Sequence, residues 1–202
     1  MLVNKEKKVV FNTPYKTGSH TLQATILRSN FVLSQHAKYS DIKKKEPKLY
    51  EDIKKNYKKY IVVRNPWTHA TSHYMHNLER RQNKRLFENN CPEQYKTNFI
   101  SFKNFLKSKF YIPQSVVSFN DPNFMYDKVL KFENLDIELK NLCQELNITY
   151  KPWKKNLGTE TKKEYFNNIK YPLDYRKLYD KESIEIVKTR SSKEIELFNY
   201  KF

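Results

Sequence analysis

Short apolar runs alternate with longer amphipathic stretches along the chain. Val9-Val10-Phe11 and Tyr60-Ile61-Val62-Val63 are typical of short buried strands. The pattern predicts strands over Lys8–Asn12, Phe31–Leu33, Lys59–Val63 and Lys128–Phe132. Helical periodicity and start signals predict helices over Ser19–Ser29, Ser40–Asn56, Pro66–Arg81, Ser101–Lys109, Leu135–Leu146 and Lys181–Arg190.

Strands separated by helices predict the fold class. A parallel sheet covered by helices, in a three-layer α/β domain, is the architecture that this order favours. With 202 residues, of which 38% are hydrophobic, the chain can bury the core of one domain. We therefore expect a single domain over residues 1–202, in which 82–111 is a variable insertion and its polar part, Gln82–Asn98, lies near an acceptor site.

The first candidate site is the polar loop Thr13–Thr21, between the Val9–Phe11 run and a helix-like stretch. Gly18 lets the backbone approach an anion, and the N–H groups at a helix start donate to it, so Lys16 points to a phosphate or sulfate. The hydroxyls that add donors are those of Thr17, Ser19 and Thr21. A glycine-containing turn with an exposed lysine is the plainer interpretation.

The second candidate site follows the next apolar run. Asn65 is placed as the N-cap of a helix and Pro66 at its first position, which leaves Arg64 at the end of a strand. Arg64 and Ser72, on the following helix, can converge on a phosphate. The alternative is that neither residue binds a ligand: Arg64 then forms a structural ion pair, and Ser72 is a helix residue without a functional role.

These two segments resemble the sulfotransferases that use 3′-phosphoadenosine 5′-phosphosulfate (PAPS), in particular the carbohydrate sulfotransferase branch with small bacterial and viral members. Pro14-Tyr15-Lys16-Thr17-Gly18-Ser19 is similar to the family's 5′-phosphosulfate loop, with Tyr15 as an extra residue. Val63-Arg64-Asn65-Pro66-Trp67 followed by Ser72 is similar to its 3′-phosphate motif.

Two later stretches also resemble family landmarks. Val129–Leu135 is similar to a strand and turn ahead of a helix, and Glu194–Phe202 is similar to the family's tail. In that tail the family more often has aspartate in place of Glu194 and glycine in place of Asn199. The resemblance runs from Pro14 to Phe202, except over 82–111.

The resemblance implies a P-loop-like fold and transfer of a sulfuryl group from PAPS to an acceptor hydroxyl, which we expect on a carbohydrate. Lys16 would be catalytic, by stabilising the leaving oxygen of the phosphate. Arg64 and Ser72 would hold the 3′-phosphate. The 5′-phosphate would lie against Lys16, Thr17, Gly18, Ser19, His20 and Thr21.

The reaction also needs a base, for which histidine suits because its pKa lies near working pH. The resemblance favours His36, which follows the predicted second strand and is the second catalytic residue that we expect. Glu133 is the rival base, although a structural capping role suits it better. The four histidines that compete are His20, inside the loop, His69 and His76, on the Ser72 face, and His73, on the surface or in the core.

Two further contacts with the nucleotide are open. Lys154 and Lys155 lie in a late basic loop, and the resemblance implies that Lys155 binds the cofactor there. A solvated charge run is the alternative. Trp67 can stack on adenine, whereas an aromatic residue at this helix position also fits a core.

The net charge of +17 favours anionic cofactors and acidic acceptors. A lysine- and asparagine-rich composition is the plainer explanation, because the lysines are spread along the whole chain. A non-catalytic basic module that binds polyanions or nucleic acid would explain this charge, but not the spacing of Lys16, Arg64 and Ser72. A P-loop kinase is a poorer alternative, because no GK[ST] loop is present. We expect the sulfate donor and a glycan as partners, and no nucleic acid.

Cys91 and Cys143 have no metal-binding spacing, so we expect neither a metal site nor a required disulfide. No run of 18 apolar residues is present, and Met1–Lys8 is too polar for a signal peptide. A cytoplasmic protein that does not enter the membrane is the expectation.

Overall fold

The computed structural model describes residues 2–19, 21–22, 39–82, 101–118, 125–150 and 174–202. The chain forms two compact units, each built from two stretches. The first comprises Met1–Arg64 and Gln114–Trp153, and the second comprises Asn65–Pro113 and Lys154–Phe202. Whether the chain is one sulfotransferase-like domain stays a prediction. The predicted strand Phe31–Leu33 and most of the predicted helix Ser19–Ser29 lie outside the described residues.

The described residues form a mixed α/β protein with a four-stranded, mostly parallel sheet. The strands are β1 (Leu2–Asn4), β2 (Val9–Asn12), β3 (Lys58–Val63) and β4 (Lys128–Lys131). The helices are α1 (Tyr39–Lys45), α2 (Pro47–Asn56), α3 (Pro66–Gln82), α4 (Phe102–Lys107), α5 (Gln114–Ser118), α6 (Leu135–Glu145), α7 (Lys181–Arg190) and α8 (Ser192–Phe198). Short 3₁₀ helices span Phe132–Asn134 and Tyr175–Leu178.

The sheet lies in the first unit, with its strands in the order β1-β2-β3-β4. β1 pairs antiparallel with β2, whereas β2 with β3, and β3 with β4, are parallel. Asn12 of β2 lies opposite Ile61 of β3, so both strands end at the same edge of the sheet. The residues that follow β2 and β3 are therefore neighbours.

Helices of the first unit pack against both faces of the sheet. Because successive side chains of a strand point to opposite faces, Val9 and Phe11 join one apolar cluster and Val10 another. The cluster around Phe11 includes Leu135, Leu139 and Leu142 of α6, while the cluster around Val10 includes Ile42 of α1 and Ile53 of α2.

The second unit is helical in its described part and has its own aromatic core. Side chains of α3 and α4 pack together there, with Tyr74 against Phe102 and Phe105 at ring-centroid distances of 5.2 and 5.5 Å. Arg190, the last residue of α7, donates hydrogen bonds to the carbonyls of Leu106, Ser108 and Tyr111. Residues 101–111, which we had placed in a variable insertion, thus contribute buried side chains to this core.

The predicted single helix over Ser40–Asn56 is wrong, because the chain forms two helices there. Glu46 precedes Pro47, and the proline ring disfavours helical backbone angles at the residue before it. Glu46 accordingly has φ −137° and ψ 69°, and α2 begins with Pro47 at its first position. The predicted strands over Lys8–Asn12, Lys59–Val63 and Lys128–Phe132 and the helix over Pro66–Arg81 are confirmed to within a residue at each end.

None of the described helices has the length and apolar character needed to cross a membrane. Cys143 lies buried in α6, and burial raises the pKa of its thiol. Cys91 falls outside the described residues.

Candidate functional site

The loop after β2 begins with a tight turn at Pro14–Thr17. Both the N–H and the hydroxyl of Thr17 donate to the carbonyl of Pro14, at 3.2 and 2.7 Å. Lys16, in the third position of this turn, has a φ of 64°, which is a left-handed conformation that glycine usually adopts. The sequence predicts the Thr17 hydroxyl as a donor to the ligand, but in the structure this hydroxyl donates to the carbonyl of Pro14 within the turn.

A helical turn starts directly after this loop. The Leu22 N–H donates to the carbonyl of Gly18 at 3.0 Å, and Ser19 and Thr21 are buried in helical geometry. The predicted helix start at Ser19 is therefore confirmed. The N–H groups at the start of a helix are the ones that can bind an anion. His20 lies outside the described residues.

Gly18 is required here for two reasons. Its φ of 90° is one that L side chains rarely adopt. A Cβ atom at this position would also lie 2.8 Å from Leu135 Cδ2 and 3.1 Å from Phe132 Cε2. The loop thus packs directly on the Phe132–Asn134 turn and on the start of α6, which belong to the third stretch that the resemblance singled out.

Arg64 lies at the end of β3 and contacts the same loop. Its Nη1 donates to the carbonyl oxygen of Lys16 at 3.1 Å, and its guanidinium carbon lies 4.3 Å from the centre of the Phe132 ring. The side chain is half-buried. Lys16 is also half-buried. The Arg64 side chain and the Lys16 backbone thus join the end of β3 to the loop after β2 at one edge of the sheet.

Gln114 holds the backbone of Arg64 and was missed by sequence reasoning. Its Oε1 accepts from the Arg64 N–H at 2.9 Å, and its Nε2 donates to the Arg64 carbonyl at 2.7 Å. Gln114 is only 2% exposed. No periodicity marks this residue, which follows Pro113 at the start of the short helix α5, so the sequence offered no signal for it.

In the second unit, the predicted cap of α3 is confirmed. Asn65 Oδ1 accepts from the N–H groups of Trp67 and Thr68 at 3.0 and 3.3 Å, and Pro66 is the first helical residue. Asn65 Nδ2 also donates to the carbonyl of Lys201 at 2.8 Å. Ser72 is half-buried on α3. Its convergence with Arg64 on one phosphate stays a prediction.

Three of the histidines lie on α3. His69 and His73 are buried, and the ring of His73 packs at 5.2 Å from that of Phe105. The core alternative for His73 is thereby confirmed. His76 is half-buried. His36, our expected base, and both Lys154 and Lys155 fall outside the described residues, so their roles stay predictions.

Other predicted site residues are placed as follows. Glu133 is exposed in its 3₁₀ turn. Trp67 is 3% exposed, packs at 5.7 Å from the Phe202 ring and belongs to the core of the second unit, which confirms the core interpretation. In the tail, Glu194 is fully buried and Asn199 has a φ of 51°. That left-handed angle explains why glycine and asparagine both suit this position.

Among the described residues, no group of three or more histidine, cysteine, aspartate or glutamate side chains is arranged to hold a metal ion. Comparison with family models, curated proteins and solved structures found no match to this chain. The site therefore has to be interpreted from its own residues.

Proposed function

We propose that this chain is a PAPS-dependent sulfotransferase with a P-loop-like, three-layer fold, which transfers a sulfuryl group to a hydroxyl of a carbohydrate. One observation carries the proposal: the hydrogen bond from Arg64 Nη1 to the Lys16 carbonyl, at 3.1 Å. It joins the two motifs that the sequence singled out for the two ends of the same nucleotide. Helices on both faces of the parallel strands support the fold.

The two cationic residues have different tasks in this proposal. Lys16 neutralises the charge that develops on the leaving oxygen of the 5′-phosphate, while the N–H groups after Gly18 bind that phosphate. Arg64, whose planar guanidinium suits a phosphate, binds the 3′-phosphate together with Ser72. Binding of the 3′-phosphate discriminates PAPS from ATP, and Lys155 adds a further contact with the nucleotide.

The chemical step is an in-line transfer. The acceptor hydroxyl attacks sulfur and gives its proton to His36, while the bond between sulfur and the bridging oxygen of the 5′-phosphate breaks. 3′-Phosphoadenosine 5′-phosphate (PAP) leaves with the bond's electron pair. Positioning and neutralisation of charge supply most of the rate enhancement in such a transfer.

Calorimetric titration with PAP, 5′-AMP and ATP tests the donor site. We expect PAP to bind at least about tenfold more tightly than 5′-AMP, since only PAP can engage the guanidinium of Arg64 with a 3′-phosphate. Arg64→Ala should reduce the affinity for PAP to that for 5′-AMP. Arg176→Ala is the matched control, because it removes the same charge from an exposed position.

Equal, weak binding of all three nucleotides would refute the sulfotransferase proposal. The net charge of +17 then favours the second candidate, a non-catalytic module that binds polyanions. If PAP binds selectively, transfer of labelled sulfate from PAPS to a panel of glycans follows, with His36→Ala expected to abolish turnover while PAP binding persists.

A further inference from the structure

The side chain of Gln114 takes the place that a neighbouring strand normally has. Arg64 lies one residue beyond the end of β3, where the ladder of the sheet stops. Its N–H and carbonyl instead bond to the Gln114 amide, at 2.9 and 2.7 Å. Buried backbone groups need such partners, and a primary amide is the side-chain group that offers a donor and an acceptor together.

This pair of bonds fixes the direction in which the Arg64 side chain leaves the backbone. The guanidinium is then held by the Lys16 carbonyl at 3.1 Å and by the Phe132 ring at 4.3 Å. Gln114 itself is 2% exposed, which leaves its amide little freedom to turn away. Three sets of contacts thus determine where the positive charge of Arg64 lies. Gln114 bonds to the Arg64 backbone, the Lys16 carbonyl bonds to Nη1, and the Phe132 ring packs on the guanidinium plane.

We propose that Gln114 is a positioning residue, which holds Arg64 where it binds the 3′-phosphate of the donor. The inference rests on the proposed sulfotransferase function. Gln114 acts through Arg64 and needs no contact with the nucleotide. A small displacement of a charged group from its ligand costs much of the binding it supplies, so loss of Gln114 should weaken recognition of the 3′-phosphate in particular.

A double-mutant cycle on the full chain tests this role. PAP and 5′-AMP are titrated into the wild type, Gln114→Met, Arg64→Ala and the double variant. Methionine has a similar length and volume and offers no amide. We expect Gln114→Met to weaken PAP at least about fivefold and 5′-AMP by less than about twofold. In the Arg64→Ala background, Gln114→Met should change PAP binding by less than about twofold.

Gln144→Met is the matched control, since Gln144 is an exposed glutamine of α6 in the same unit. It should leave both affinities unchanged. Thermal unfolding of each variant verifies that it folds. If Gln114→Met does not fold, Gln114→Asn takes its place, because it keeps the amide but shortens its reach by one methylene. The same selective loss of PAP binding is then required.

The outcomes separate this inference from the proposed function. Gln114 is supported as a positioning residue if Gln114→Met selectively weakens PAP binding in the wild-type background but has no such effect in the Arg64→Ala background. The inference alone is overturned if the wild type prefers PAP and Gln114→Met keeps this preference. It is also overturned if Gln114→Met lowers the affinities for PAP and 5′-AMP by the same factor. A wild type without any preference for PAP overturns the proposed function and, with it, this role of Gln114.

Discussion

Lys16 adopts a backbone conformation that costs a lysine energy. Its φ of 64° lies in the left-handed region, where an L residue other than glycine is less stable by roughly 1–2 kcal/mol. Glycine would form the same turn without this cost. Strain of this kind persists where the surrounding structure enforces it, and it clusters at functional sites. Lys8, in the turn between β1 and β2, has a similar φ of 50°, so the conformation by itself does not assign a function to Lys16.

This strain leads to a prediction about stability. The free energy of unfolding should be roughly 0.5–1 kcal/mol higher for Lys16→Gly than for Lys16→Ala. Glycine makes the unfolded chain more flexible, which costs stability, but this cost is smaller than the backbone strain that glycine relieves. Urea denaturation of both variants measures the difference. The pair Lys7→Gly and Lys7→Ala is the control, since Lys7 does not share the left-handed φ.

At Lys7 we expect the reverse order, with the alanine variant more stable. If alanine were also the more stable residue at position 16, the left-handed conformation would not be the one that the folded protein adopts there.

The sequence revealed the charged residues of the site but not what holds them. Arg64 stands out because it directly follows an apolar run, and Lys16 because it lies in a glycine-containing polar loop between such a run and a helix. The contact between Arg64 and the loop agrees with that inference. Gln114 bonds to backbone groups 50 residues away in the chain. Such a bond leaves no local periodicity, so only the folded structure identifies its residues.

At the scale of elements, strong local signals gave accurate bounds. The predicted helix Lys181–Arg190 is found unchanged, since Asp180 caps it by accepting from the Ser183 N–H at 2.8 Å. β1 has three residues and α5 has five, which is too short for a period to show. Those two elements form because of their tertiary packing and pairing.

The cap of α7 also makes stability depend on pH. Lys103 Nζ lies 2.6 Å from a carboxylate oxygen of Asp180 and 2.9 Å from one of Glu182. The hydrogen bond from Lys103, followed by that from the Ser183 N–H, holds the pKa of Asp180 well below its usual value. The ionised Asp180 carboxylate therefore contributes its full stabilisation of the folded state above about pH 4. This contribution is lost as the pH falls through the lowered pKa.

Asp180→Asn should remove this dependence while keeping the cap, because asparagine caps helices about as well as aspartate. We expect the variant to melt at a lower temperature than the wild type at about pH 7, and the difference to shrink as the pH falls below about 4, because the unfolded chain then takes up the proton at Asp180 before the folded protein does. Glu185→Gln, which removes a charge from the same helix, is the control. A melting difference that stays constant over this range would contradict the assignment.

At the scale of the whole molecule, the net charge of +17 affects every anion that the chain meets. A diffuse field is screened by salt, whereas a half-buried guanidinium held in place is screened much less. We therefore expect the affinity for a sulfated polysaccharide to fall steeply between about 0.05 and 0.3 M NaCl. The preference for PAP over 5′-AMP should change by less than about threefold over the same range. A preference that vanishes at high salt would mean that charge alone attracts the nucleotide.

The order of the strands has a consequence for synthesis. β3 carries four buried residues in succession, Tyr60–Val63, and pairs with β4 at residues 128–131, far later in the chain. At roughly 5–20 residues per second, several seconds pass between translation of these two strands. During that interval one edge of an apolar strand has no partner, and the polypeptide for the first part of the second unit is made in between. The nascent chain is therefore most exposed to aggregation before β4 has been translated.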